Sequence, residues 1–192
     1  MFASEHANAL PDIMVLGKGL SGGYLPLAIT LTTEEIFSQF DGSVADGRAL
    51  AYGHSYTGNA LGCAAARAGL AIFREENVLA ILQPKIRQLG SQLQPLRELP
   101  GVTEVRQCGF VAGIEMNDPG TASEVCRRAC DYGLLTRSVR ETIALLPPLC
   151  ITEQQLQRTV AALTEAIEEI EMEGRALSRP GRHGGRPSMS RR

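Results

Sequence analysis

The chain has 192 residues, 44% of them apolar, and a formal net charge of −2. That is enough chain for a domain with a real core, and no apolar run approaches the ~20 residues of a membrane-spanning helix. The start Met1-Phe-Ala-Ser-Glu-His6 lacks the basic and apolar stretches of a secretion signal.

In chain order, the all-apolar run Ile13 to Leu16 reads as a core strand, and Lys18 falls where that strand ends, between Gly17 and Gly19. In open α/β sheets ligands bind outside the carboxyl ends of the strands. A desolvated lysine at such a place loses basicity and becomes a nucleophile. The competing reading is a solvated loop lysine, the ordinary fate of that residue type. Leu25 to Leu31 reads as a second strand, and Thr33-Glu-Glu starts a short helix with a capping residue and acids in its first turn. A polar loop, Asp41 to Ala51, leads to Gly53-His-Ser-Tyr-Thr-Gly-Asn59, and Asn59 to Glu76 is an alanine-rich helix.

Asn77 can cap the next helix, which runs to about Leu99 with Pro84 permitting a kink or a delayed start. Beyond Pro100-Gly101 the period changes. Val102 to Gln107 and Phe110 to Glu115 read as a hairpin around Cys108-Gly109. A helix from about Ser123 to Tyr132 and strands near Leu134 to Ser138 and Thr142 to Leu146 follow. Thr152-Glu-Gln-Gln155 is a capping box for a last helix whose stripe is Leu156, Val160, Leu163, Ile167 and Ile170.

Five cysteines, at 63, 108, 126, 130 and 150, form no CxxC pair. Cys126 and Cys130 are spaced for a shared metal, but no histidine lies near, so packed free thiols of a reducing cytoplasm are expected. Arg175 to Arg192 carries six arginines and no acid among Gly, Pro and Ser, and reads as a disordered basic tail. It has no aromatic residues for base stacking. No nucleic acid and no membrane partner is expected.

Three blocks stand out in order: Asp12-Ile-Met-Val-Leu-Gly-Lys18-Gly-Leu-Ser-Gly-Gly-Tyr-Leu-Pro26, Tyr52-Gly-His-Ser-Tyr-Thr-Gly-Asn59 with Ala60-Leu-Gly-Cys-Ala-Ala-Ala66, and Leu135-Thr-Arg137-Ser-Val-Arg-Glu-Thr-Ile-Ala-Leu-Leu-Pro147-Pro148. Together they resemble the class III, pyridoxal-phosphate-dependent aminotransferases over roughly residues 1 to 172. Within that class the wording is similar to the subgroup that transaminates 8-amino-7-oxononanoate to 7,8-diaminononanoate in biotin biosynthesis, with S-adenosylmethionine or, in some relatives, lysine as amino donor.

The resemblance implies an α/β, fold-type I transferase. Residues 1–76 would close the large cofactor-binding domain, 77–174 would form a small α+β domain, and 175–192 would be the tail. It makes Lys18 the catalytic, Schiff-base lysine of pyridoxal 5'-phosphate. Ser55 becomes the hydroxyl ligand of the cofactor phosphate, with Gly53 and His54 beside it and Thr57 a second hydroxyl candidate. Without the resemblance, Ser55 is as readily a helix N-cap. His54 is loop scaffold, Gly53 belongs to the substrate side, and Tyr24 and Tyr56 either line a channel or pack. Arg137 would take the substrate carboxylate, because a guanidinium offers it two parallel donors, with Arg140 as its rival. The resemblance also implies a homodimer in which the Ser55 loop serves the partner's site. The family's glycine/serine phosphate loop, cofactor-stacking aromatic and pyridine-nitrogen aspartate have no counterpart here, so the chain is expected to be a carboxy-terminal portion. Two alternatives stay open: another class III ω-aminotransferase, of ornithine or 4-aminobutyrate type, and a non-catalytic fragment that only dimerises.

Overall fold

The computed structural model describes residues 1 to 177. The chain falls into two compact units, divided between Ile81 and Leu82.

The first unit opens with a single helical turn, α1 (Ala3–His6), closed by Glu5, which accepts from the Met1 ammonium at 2.7 Å and from the Phe2 amide at 3.2 Å. Strand β1 (Ile13–Leu16) pairs antiparallel with β2 (Ile29–Thr32), in register from Ile13 opposite Thr32 to Leu16 opposite Ile29. The expected second strand is therefore shortened. Pro26 has no N–H to give a ladder, and the Leu25 carbonyl is taken by the Ser21 hydroxyl, so pairing begins only at Ile29. The core character expected of β1 is also corrected. The strand forms, but Ile13 is 54% and Val15 69% exposed, because a two-stranded ribbon cannot cover a strand that is apolar on both faces. Helix α2 (Glu34–Phe40) follows Thr33 with Glu34 and Glu35 at its positive end. Helix α3 (Ala60–Glu75) is capped by Asn59, whose Oδ1 accepts from the Gly62 amide at 3.0 Å.

Helix α4 (Val78–Leu93) starts beyond Asn77, whose carbonyl accepts from the amides of Ala80 and Ile81. Pro84 lies inside α4. The helix tightens to a 3-10 turn over Gln94–Glu98, since Pro95 cannot donate to the preceding turn.

The second unit holds most of the buried apolar side chains. Its sheet has the order β3-β4-β6-β5, all antiparallel, built from β3 (Val102–Cys108), β4 (Val111–Met116), β5 (Arg137–Val139) and β6 (Thr142–Leu145). Gly109 turns the first hairpin with φ +57. Helix α5 (Pro119–Ala129) begins four residues before the expected Ser123. Asp118 caps it, accepting from the Thr121 amide at 2.9 Å, and Pro119 occupies the first helical position. Helix α6 (Glu153–Leu177) starts at the expected capping box, with Thr152 N to Gln155 Oε1 at 2.9 Å and Gln155 N to Thr152 Oγ1 at 3.1 Å. Leu156, Leu163 and Ile167 are fully buried on its stripe. Arg175 to Leu177 continue this helix, and the rest of the basic tail, 178 to 192, lies outside the described residues.

Period-two alternation gives the sheet two unlike faces. Val105, Ala112, Ile114, Met116, Ile143 and Leu145 are buried. Glu104, Arg106, Gly113, Glu115, Thr142, Ala144, Arg137 and Val139 line the open face. The expectation of packed thiols is right for Cys126 alone, which is buried with its thiol pushed up to about 11 by desolvation. Cys63, Cys108, Cys130 and Cys150 are exposed. Among the described residues no helix is long and apolar enough to cross a membrane.

Candidate cofactor and substrate site

Lys18 opens a 3-10 turn, Lys18–Ser21, directly after β1, with Gly17 fully extended before it and Gly22 at φ +62 after it. Lys18 itself has φ +51, a left-handed conformation that is uncommon for a residue with a side chain. The turn is locked from within. The buried Ser21, 2% exposed, donates its hydroxyl to the Leu25 carbonyl, and the Gly22 and Leu20 amides close on Gly19 and Gly17. Helix α3 runs against it. A Cβ at Gly69 would stand 3.5 Å from the Leu20 carbonyl oxygen, and one at Gly62 would stand 3.5 Å from Leu27.

The buried amine expected at Lys18 is corrected: its side chain is exposed. Among the described residues it forms no ion pair. Ser21 was not singled out from the sequence. Its signal was a small hydroxyl in an otherwise glycine-rich turn, which reads as flexibility until its acceptor is known.

The Gly53–Asn59 loop lies in the same unit and leads into α3. His54 works as scaffold within it: its amide donates to Thr57 Oγ1 at 2.9 Å, its carbonyl accepts from the Thr57 amide at 2.9 Å, and its Nδ1 accepts from the Tyr56 amide at 3.1 Å. The Thr57 hydroxyl is thus engaged inside the loop, whereas the Ser55 hydroxyl is exposed and bonds to no described residue. Gly58 turns the loop with φ +69, and a Cβ on Gly53 would meet only Thr57 Oγ1, at 3.8 Å. Asn59 rather than Ser55 caps α3, so the N-cap reading of Ser55 is set aside. Tyr24 and Tyr56 are exposed rather than packed.

Arg137 and Arg140 belong to the second unit. Arg137 opens β5 opposite Ala144, its side chain exposed, with the neighbouring Thr136 hydroxyl bonded to the Ala144 carbonyl at 2.7 Å. Arg140 stands in the two-residue turn between β5 and β6 with φ +55. The register therefore separates two arginines that look equivalent in sequence, with Arg137 on the open face and Arg140 at the hairpin tip. Arg106 is also on that face and was not anticipated. It donates to Glu104, to Glu115 and, at 3.1 Å, to Thr142 Oγ1. Glu115 first and then Glu104 hold its guanidinium above its ordinary pKa. Only the strand register could have shown this grouping.

These residues suit a phosphate-bearing aldehyde cofactor. Among the described residues there is a primary amine free of partners on a glycine-flanked turn, and a free hydroxyl on a loop whose other groups bond within it.

The Aminotransferase class-III family profile matches residues 1–167. The adenosylmethionine-8-amino-7-oxononanoate aminotransferase of Methanocaldococcus jannaschii is 44% identical over 173 residues, 84% of this chain and 38% of that protein. Its counterpart in Aquifex aeolicus is 41% identical, over 90% of this chain and 41% of its own length. The chain thus spans about two-fifths of these relatives. The crystal structure of the M. jannaschii protein superposes with a TM-score of 0.78, covering 83% of this chain and 39% of that one. An amine transaminase from an uncultivated Pseudomonas species, solved in its pyridoxal-phosphate-bound form, gives 0.80 at 31% identity, with 86% and 40% covered. The fold is therefore that of the fold-type I transferases, and the chain belongs to the class-III aminotransferases, whose cofactor is pyridoxal phosphate.

Proposed function

We propose that this chain carries the catalytic lysine of an aminotransferase that converts 8-amino-7-oxononanoate to 7,8-diaminononanoate in biotin biosynthesis, with S-adenosylmethionine as amino donor. The observation behind this reading is the run of relatives so named, at 41–44% identity over 84–91% of this chain. Pyridoxal phosphate, when bound, supplies the electron sink for the carbon that gains or loses nitrogen. Lys18 would hold it through Nζ, and the same amine would move a proton at the reacting carbon. The left-handed backbone sets the direction in which the Lys18 Cα–Cβ bond leaves the turn, and the Ser21 hydroxyl ties that turn to Leu25.

Ser55 would donate its hydroxyl to the cofactor phosphate, and His54 and Thr57 hold the loop through their own bonds. In a homodimer this loop serves the partner subunit's site. Gly53 leaves room for the substrate at the loop's edge. Arg137 receives the terminal carboxylate through paired N–H donors. The ω-amine reading, of ornithine or 4-aminobutyrate type, has engineered ω-transaminases among its structural likenesses, with TM-scores of 0.82–0.84 but only 30–31% identity.

The chain contains two lysines, Lys18 and Lys85, which makes a direct test simple. Purified protein is incubated with pyridoxal phosphate, reduced with borohydride and mapped by mass spectrometry. The pyridoxyl group is expected on Lys18. Equal labelling of Lys85, or none at Lys18, refutes the anchoring role. Incubation with 8-amino-7-oxononanoate and either S-adenosylmethionine or lysine then assigns the donor from the diamine formed.

A further inference from the structure

Four residues on four strands form one lateral row on the open face of the second unit's sheet. Arg106 pairs with Gly113, Gly113 with Ala144, and Ala144 with Arg137. Three strand spacings put the two arginine Cα atoms about 14 Å apart, with only Gly113 and Ala144 between them. Chemically the two are opposites. Arg106 is held by Glu104 and Glu115 through Nη1 and by Thr142 Oγ1 through Nη2, and its side chain lies over Gly113, whose Cβ would stand 3.8 Å from Arg106 Nε. Arg137 has no ion-pair partner among the described residues. The Glu104–Arg106–Glu115 group carries one net negative charge, and the β5 edge carries one positive charge.

We infer that Glu104 and Glu115 set the charge specificity of this face: by sequestering Arg106 they leave Arg137 as its lone available cation, so that it takes a ligand with one terminal carboxylate and disfavours one with a carboxylate at both ends. The inference rests on Arg137 as the carboxylate residue. A second carboxylate running along the Ala144–Gly113 row meets the excess negative charge of the Arg106 group, and like charges brought together at a recognition surface are disfavoured. With the two glutamates neutralised, the same row ends in a second free guanidinium, and the preference reverses. Glu104 and Glu115 are specificity-determining residues here, with no part in the chemistry.

The test uses the full chain and two probes that differ only in the second carboxylate, nonanoate and nonanedioate, read by amide shift changes in β5 and β6 on titration. The wild type is expected to bind nonanoate at least as well as nonanedioate. In the Glu104→Gln/Glu115→Gln variant nonanedioate should tighten about threefold or more, the scale of an exposed charge pair, with nonanoate unchanged. Glu104→Gln alone, on the outer strand, should shift the same way by less, and it serves if the double variant fails to fold. A ratio unchanged in a folded variant overturns the inference. Arg137→Ala should abolish nonanoate binding. Undiminished binding there refutes the Arg137 reading instead, independently of the glutamate result.

Discussion

A left-handed backbone at Lys18 makes a sharp prediction about the cost of placing a side chain there. For an L-residue that conformation costs about 1–2 kcal/mol, which glycine avoids. Glycine in turn gives up about 0.5–1 kcal/mol relative to alanine through the flexibility of the unfolded chain. Lys18→Gly should therefore be more stable than Lys18→Ala by about 1 kcal/mol, although both remove the amine and neither side chain packs against anything the other does not. The ordering is opposite to the usual one, in which alanine is the stabilising choice. Because the chain divides into two compact units, a global melting curve is a poor reporter of one turn. Amide hydrogen exchange resolves the local event, and the Leu20 and Gly22 amides, bonded to the Gly17 and Gly19 carbonyls, are the probes. Their protection should be about fivefold greater in Lys18→Gly than in Lys18→Ala. Equal protection, or greater protection in the alanine variant, would show that the turn carries no strain at this residue and would remove the argument that its geometry is held for function.

Two further outcomes test the second unit. Asp118 is held below its ordinary pKa of 3.8 by the Thr121 hydroxyl and then the Thr121 amide, so its cap contributes stability that is present above pH 3.8 and is lost as pH falls through the lowered folded value; urea titrations should show the wild type more stable than Asp118→Ala at pH 6, with the gap closing below about pH 3.8, and a gap constant with pH refutes this. Maleimide at pH 8, followed by mass spectrometry, should label the exposed Cys63, Cys108, Cys130 and Cys150 in the native protein and reach Cys126 only on unfolding; five equally fast labels would contradict the burial of Cys126.

How far the sequence carries depends on whether an element is decided locally or by what lies beside it. The Thr152–Gln155 capping box is a local contract between two side chains and two amides, and it forms where the residues predict. The start of α5 was equally local but overlooked: Asp118-Pro119 is a cap followed by the residue best suited to the first helical position, whereas the apolar pattern begins only later. Burial is another matter. Ile13-Met-Val-Leu16 reads as core because it is apolar throughout, yet apolarity only records the environment a strand suits: Met14 and Leu16 are half-buried on one face, while Ile13 and Val15 are exposed on the other. Register was the least legible of all. That Arg106 meets Glu115 and lies in line with Arg137 follows from two hairpin turns and the long-range pairing of β4 with β6, and one residue of slip would have sent a strand's residues to the other face.

The same division bears on which residues carry chemistry. Among the described residues, four other than glycine have positive φ: Asn8, Lys18, Asn77 and Arg140. Asparagine tolerates that region readily, while lysine and arginine have no such latitude. Both charged cases lie in the blocks that resemble the aminotransferases, Lys18 in the turn proposed to anchor the cofactor and Arg140 at the hairpin beside Arg137. The turn around Lys18 already contains Gly17, Gly19, Gly22 and Gly23, so glycine is plentiful beside it, and the position where glycine would relieve the backbone holds a lysine instead. Strain persists only where surrounding contacts over-determine it, and here the Ser21 hydroxyl and helix α3 supply them. An ordinary loop lysine has no reason to be held at that cost. The proposed anchoring of the cofactor supplies one.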